Sequence, residues 1–257
     1  MSKHYYLVHI QYLGFRFHGW AKQPQVKTVH HMIDRTLKYV LGEQPFKTLG
    51  CSRTDAMVSA SHFAFELFLD EAIKDDFLDQ FNLNLPADIR ALEVEEVNAD
   101  FNIIQNPKVK EYAYLFAFGE KPHPFSAPFI TTVPGILNLS LMQEGARLFA
   151  GTHHFGAYCK KPNEKTQVER EILSCEIKEN DLLTANFFPQ ESWMLDVRAR
   201  GFLRNQIRMM MAQLFRLGKG EIDLEWLESS LKPDFKEHLP EIAPASGLML
   251  QKVHFSE

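Results

Sequence analysis

Arg53 and Asp55 stand two positions apart in the segment Gly50-Cys51-Ser52-Arg53-Thr54-Asp55-Ala56-Met57-Val58-Ser59-Ala60, between two predicted regular elements. Two readings are open for them. One is a surface pair, or a turn in which the Asp55 side chain bonds nearby backbone. The other is a carboxylate held ionised by neighbouring guanidinium groups, which keep its pKa low and fit it to act as nucleophile or base. Other chemistries find less support. No nucleophile elbow or Ser–His spacing points to hydrolysis. His153 and His154 are adjacent and project in different directions, and no Cys or His completes a set at ligand spacing, so no metal is expected. Cys51, Cys159 and Cys175 are odd in number, far apart and without a CxxC pair. That argues against a zinc ribbon, a redox motif or a disulfide framework, and fits a reducing, cytoplasmic setting.

The 257 residues are 45% apolar, 24% charged and 12% aromatic, enough to bury a core without a covalent staple. No run of about 18 apolar residues occurs, so no membrane span is expected. Met1 to Ile10 carries Lys3 and His4 and then alternates, unlike a signal peptide. The net charge of -5 hides a polarisation. Residues 1–54 hold eight basic residues against Asp34 and Glu43, a net +6. Residues 55–100 hold twelve acids against Lys74 and Arg90, a net -10. Arg198, Arg200, Arg204, Arg208, Arg216 and Lys219 then share residues 196–219 with a single acid, Asp196. Two basic segments folded onto one face would suit a phosphate backbone; solvated helix faces would give the same composition.

The elements that must position these residues follow from periodicity. His4 to Tyr12 alternates as a strand and leads into a Gly14–Gly19 turn, with Trp20 expected as a packed turn residue. Thr28 is a plausible N-cap for a helix through Leu41, which Gly42 ends. Strands are expected around Phe63 to Leu67, over Lys110 to Phe118, and over Gly247 to Phe255. Three consecutive strands are expected at Glu171 to Lys178, Leu182 to Phe188 and Trp193 to Arg200, with a tight turn at Glu179-Asn180-Asp181. Helices are expected over Asp75 to Asn82, Leu139 to Phe149, and Phe202 to Leu217 with Gly218 as cap. The Pro-rich stretch Lys121 to Pro134 is the candidate excursion between lobes. Strands outnumber helices without regular βα alternation, so an α+β fold with a large, mostly antiparallel sheet is favoured.

Seven motifs in order make the chain resemble the TruA family of tRNA pseudouridine synthases. They are Tyr12-x-Gly14-x-x-Phe17-x-Gly19-Trp20, Arg53-Thr54-Asp55, Asn84-Leu85-Pro86-x-Asp88-Ile89, and Lys110-x-Tyr112-x-Tyr114. Gly151-x-His153-x-Phe155, Phe202-Leu203 with Ile207-Arg208, and Ala243-Pro244-Ala245-x-Gly247-Leu248-x-Leu250 complete the set. The resemblance implies the pseudouridine synthase fold, with two α/β lobes (1–105 and 106–257) around the sheet and flanking helices. It implies isomerisation of uridine to pseudouridine in the tRNA anticodon stem-loop, at positions 38–40, without a cofactor. Asp55 would be the catalytic carboxylate. Tyr112 would stack on the uracil and serve as acid or base, and Arg208 would pair with Asp55. Arg53 would fill the space left by the flipped nucleotide, and Leu248 would wall the pocket. Lys110 and Arg204, with Lys22 and Arg16, would contact the RNA backbone. The family also implies a homodimer with tRNA bound across both subunits.

The chain departs from the family around the aspartate. Ser52 and Met57 replace glycines, Ser59 a histidine, Ala21 a glutamine and Ile104 an arginine. These changes bear on substrate range and rate. They also keep open a catalytically inactive relative that binds RNA.

Overall fold

A computed structural model describes residues 3–255. In chain order the elements are β1 (His4–Tyr12), a 3-10 turn (Gly14–Arg16), α1 (Val29–Leu41), β2 (Phe46–Gly50), β3 (Ser59–Leu69), α2 (Phe77–Asn84) and β4 (Ile89–Glu96). Then come β5 (Pro107–Gly119), β6 (Thr131–Pro134), α3 (Leu139–Leu148), β7 (Gly151–His154), β8 (Glu169–Glu179) and β9 (Trp193–Ala199). α4 (Gln206–Gly218), α5 (Leu224–Ser229) and β10 (Leu248–Phe255) complete the order. This is the expected α+β class. The pairs β1–β3, β1–β4, β2–β3, β5–β9, β7–β8 and β8–β9 are antiparallel, and β5–β6 is parallel. Contacts divide the chain into two compact units. One runs to Lys108 and takes in the residues from Leu250 onward; the other is Val109–Met249.

In the first unit the strands run β4-β1-β3-β10, with β2 also on β3. α1 begins where expected: the Thr28 side chain accepts from the His31 amide at 3.3 Å. Gly42, at φ 64°, ends it. Val29, Ile33 and Leu37 form its fully buried face. Phe63 and Phe65 of β3 are fully buried. Trp20 lies 4.2 Å from Phe63 and 5.0 Å from His30 between ring centroids, so it is the packed turn residue expected.

Buried His9 of β1 is the centre of a polar chain that runs out to the surface. His9 bonds His62 at 3.0 Å and Glu95 at 2.7 Å. Burial lowers the His62 pKa to about 4, helped by the neighbouring His9, Lys252 and His254. The unfolded chain, with His62 near 6.5, therefore binds more protons than the folded one between those values. This contribution to stability is complete above about pH 6.5 and is lost as pH falls toward 4. His62→Gln is expected to flatten the dependence of the urea midpoint on pH across that window. An unchanged slope would remove His62 as its source.

In the second unit the strands run β5-β9-β8-β7. Alternation sorts β5 into two faces. Tyr112 meets Phe202 at 5.3 Å, while Tyr114 and Phe116 meet Phe215 of α4 at 6.2 and 5.5 Å. Ala113, Leu115 and Ala117 face the other way and form a cluster with Ile130 and Met194.

Four expectations are corrected here. Leu182 to Phe188 is not a strand. Leu182, Leu183 and Phe188 pack onto that cluster, so the apolar pattern reflects burial of an irregular excursion. The connection from β8 to β9 is accordingly that whole excursion, not a tight turn at residues 179–181. α4 starts at Gln206, after Asn205 takes a left-handed conformation at φ 61°; Gly218 is still helical and Lys219 is the cap. Lys121 to Pro134 does not pass between units: it returns through β6 to the edge of β5, inside the second unit.

Candidate active site

The loop 51–58 joins β2 to β3 and carries Arg53, Thr54 and Asp55. The segment after β1 clamps it. The Trp20 amide donates to the Thr54 carbonyl at 3.3 Å, and the Met57 amide donates to the Phe17 carbonyl at 2.9 Å. The Tyr12 and Thr54 hydroxyls share a buried bond of 3.0 Å. The Gly14 amide donates to the Ser59 hydroxyl at 2.9 Å, so the serine in place of the family's histidine braces the same turn. Two glycines make the approach this close. A Cβ on Gly14 would overlap the Val58 carbonyl, and one on Gly19 the Thr54 carbonyl; Gly19 also has φ 83°.

Asp55 is half-buried on this loop and Arg53 is exposed. The Val58 amide donates to the Asp55 carbonyl at 3.2 Å, closing a turn whose third residue, Met57, has φ 67°. A left-handed methionine costs about 1–2 kcal/mol that glycine would not. Thus Met57 keeps the backbone shape that explains a glycine at this position, at some expense in strain.

The remaining expected site residues lie in the second unit. Tyr112 is buried on β5, and Lys110, half-buried, precedes it on the same face. Arg208, half-buried in the first turn of α4, donates from Nε to the Ala243 carbonyl at 2.8 Å. The Ala243 amide donates back to the Arg208 carbonyl at 3.1 Å. One residue on, the Pro244 carbonyl accepts from the Tyr114 hydroxyl at 2.8 Å, and the Gly247 carbonyl accepts from the Leu115 amide at 2.8 Å. Burial pushes the Tyr114 phenol pKa upward, which keeps it a donor. Segment 243–248 therefore ties the start of α4 to β5 and delivers Leu248, buried, at the head of β10.

The basic side chains separate into two groups. Arg16 pairs with Asp88 at 2.7 Å and Lys22 with Asp34, so both expected backbone contacts are engaged within the first unit. Arg198 lies 3.7 Å from Asp196, and Arg216 3.5 Å from Glu221. Arg204 and Arg200 are exposed. Sequence reasoning missed the clamp formed by Gly14, Gly19 and Ser59. The glycine spacing after β1 was visible, but its partner lies some forty residues away.

Three comparisons bear on this arrangement. A family profile described as tRNA pseudouridine synthase matches residues 146–256. A tRNA pseudouridine synthase A 2 of Bacillus cereus is 31% identical over 252 residues, covering 97% of this chain and 99% of its own. The tRNA pseudouridine synthase A of Acetivibrio thermocellus is 29% identical over 247 residues, covering 96% and 97%.

Proposed function

Because the chain belongs to the TruA family of tRNA pseudouridine synthases, we propose that it isomerises uridine to pseudouridine in the anticodon stem-loop of tRNA, at positions 38–40, with Asp55 as the catalytic carboxylate. The observation that carries this reading is the braced loop. It presents a half-buried carboxylate on a loop tied at four points, through backbone and side chains, to the end of β1 and the segment after it. Such fixing is what a group needs if it must meet one atom of a bound base without reorganising.

The reaction breaks the N1–C1′ bond of uridine and forms a C5–C1′ bond, and the hydrogen on C5 leaves as a proton. Substrate and product are isomers, so no cofactor or energy source enters. Asp55 attacks the ribose or the uracil ring, or moves a sugar proton; each role needs the ionised carboxylate. In this reading Tyr112 stacks on the uracil and Arg208 is the cation that pairs with the carboxylate. Arg53, exposed and planar, occupies the stack vacated by the flipped nucleotide. Leu248 supplies an apolar wall, and Lys110 and Arg204 hold phosphates.

The test is tritium release from unmodified tRNA labelled at uridine C5. Release, with the modified uridines mapped to positions 38–40, is the expected result. Tight tRNA binding with no release from any tRNA tried would leave an RNA-binding relative without the activity. We also propose that the protein works in the cytoplasm as a homodimer with the tRNA crossing both subunits. Sedimentation of the purified protein as a monomer, with and without tRNA, would remove the dimer. Among the described residues no helix is long and apolar enough to cross a membrane.

A further inference from the structure

The second unit contains a cleft of about 500 Å³ that none of the expected site residues lines. It lies where the end of β5, the start of the 121–134 excursion and the excursion between β8 and β9 meet. Ala117 of β5 is on its wall, and Tyr112 is five residues earlier on the opposite face of the strand. That is about 17 Å along β5 at the rise of an extended chain. The cleft is therefore distinct from the surface that Tyr112 serves.

Its walls are aromatic and anchored. Phe188 is packed against the Ala113–Leu115–Ala117 cluster and lies 5.9 Å from Phe129. Phe187, its neighbour in the chain and 5.4 Å from it, lines the cleft with His123 at 6.2 Å. Phe125 stands beside them, 4.9 Å from His123 and 6.1 Å from Phe187, yet is 68% exposed. A phenylalanine this open, against a fixed aromatic wall, offers a stacking face that the fold itself does not use.

The rim is polar in a particular way. Asn186 and Gln190 bring amides, and Glu120 and Glu191 bring carboxylates. Among the described residues Lys121 is the one lysine or arginine lining the cleft. Two carboxylates against one lysine do not suit a phosphate. Carboxylates and amides do suit the edge of a base that carries an exocyclic amine. A purely apolar peptide side chain would leave those rim groups without partners. We infer that this cleft takes up one unstacked, amino-bearing base of the RNA substrate (adenine, cytosine or guanine), held against Phe125 and Phe187, as a second point of recognition away from the reacting uridine. This rests on the proposed tRNA substrate. Bases that leave the stack are characteristically held by aromatic faces and read along their edges.

The test uses the full chain and unmodified tRNA transcripts, with Kd measured over a salt series and tritium release measured in parallel. Phe125→Ala is expected to raise Kd about 5- to 150-fold, the range for loss of one base–aromatic stack. At saturating tRNA the rate should be unchanged, as should the melting temperature, since Phe125 is largely exposed. The salt slope should also be unchanged, because no phosphate contact is removed. Phe187→Ala should reproduce the loss of affinity. Wild-type affinity in both variants, or a shallower salt slope, overturns the inference even where pseudouridine forms normally. If the wild type forms no pseudouridine but Phe125→Ala still weakens tRNA binding, the cleft stands and the isomerisation does not.

Discussion

Asp55→Asn is expected to release no tritium above background from C5-labelled tRNA, a loss of at least about a thousandfold, while tRNA affinity stays near that of the wild type. The amide matches the carboxylate in shape but is neither nucleophile nor base at neutral pH. Its backbone role survives, because the Asp55 carbonyl that accepts from the Val58 amide is unchanged. The clamp on either side, through Thr54 and Met57, is likewise untouched. A folded protein that binds tRNA without turning it over is therefore the expected outcome. Tritium release by the variant at the wild-type rate would remove Asp55 from the chemistry. Silence from both proteins, with binding retained, would turn attention to Met57 and Ser59, where the chain departs from its family.

The second large effect is expected at a residue that takes no part in chemistry. Gly19→Ala should lower stability by about 2–4 kcal/mol and tritium release by more than about tenfold. The added methyl meets the Thr54 carbonyl, with the Asp55 carbonyl carbon 3.1 Å away, on a backbone already in left-handed space. Neither side can yield cheaply. The Gly19 carbonyl accepts from Val29 at the start of α1, and Thr54 is bonded to both Trp20 and Tyr12. Relief must come from shifting the loop that carries Asp55. Thermal melts should show the loss, and rates measured well below the melting point separate displaced loop from unfolded protein. An alanine variant with wild-type stability and rate would show that the clamp does not set the position of Asp55.

These two residues mark what was legible in the chain. Arg53-Thr54-Asp55 could be singled out because a carboxylate beside a guanidinium suits a nucleophile or base, and because the segment resembles the family's motif. α1 was legible through Thr28 and the spacing of Val29, Ile33 and Leu37, all local signals. The clamp was not, since Gly14 meets Val58 and Gly19 meets Thr54 across roughly forty residues that include α1 and β2. Leu182 to Phe188 misled for a related reason. Its apolar residues match a strand, yet an irregular chain that packs Leu182, Leu183 and Phe188 on one cluster writes the same composition. β2 was missed because Phe46–Gly50 is short and lies between Pro45 and the loop, with only β3 to give it partners among the described residues. Met57 shows the limit from the other side: a glycine there would have announced the left-handed turn, whereas a methionine conceals it.

The last strand bears on how such a chain is made. β10 completes the first unit, although roughly 140 residues of the second unit are synthesised before it. At about 5–20 residues per second, the earlier strands wait on the order of 10–30 s for it. Through that interval β3 has β2 beside only Phe65–Leu69, so the stretch of that edge nearer Ser59 awaits its strand. An unpaired hydrophobic edge is a template for the wrong partner. The period of greatest risk for this protein therefore falls on the ribosome, where a half-finished sheet must be shielded until β10 emerges.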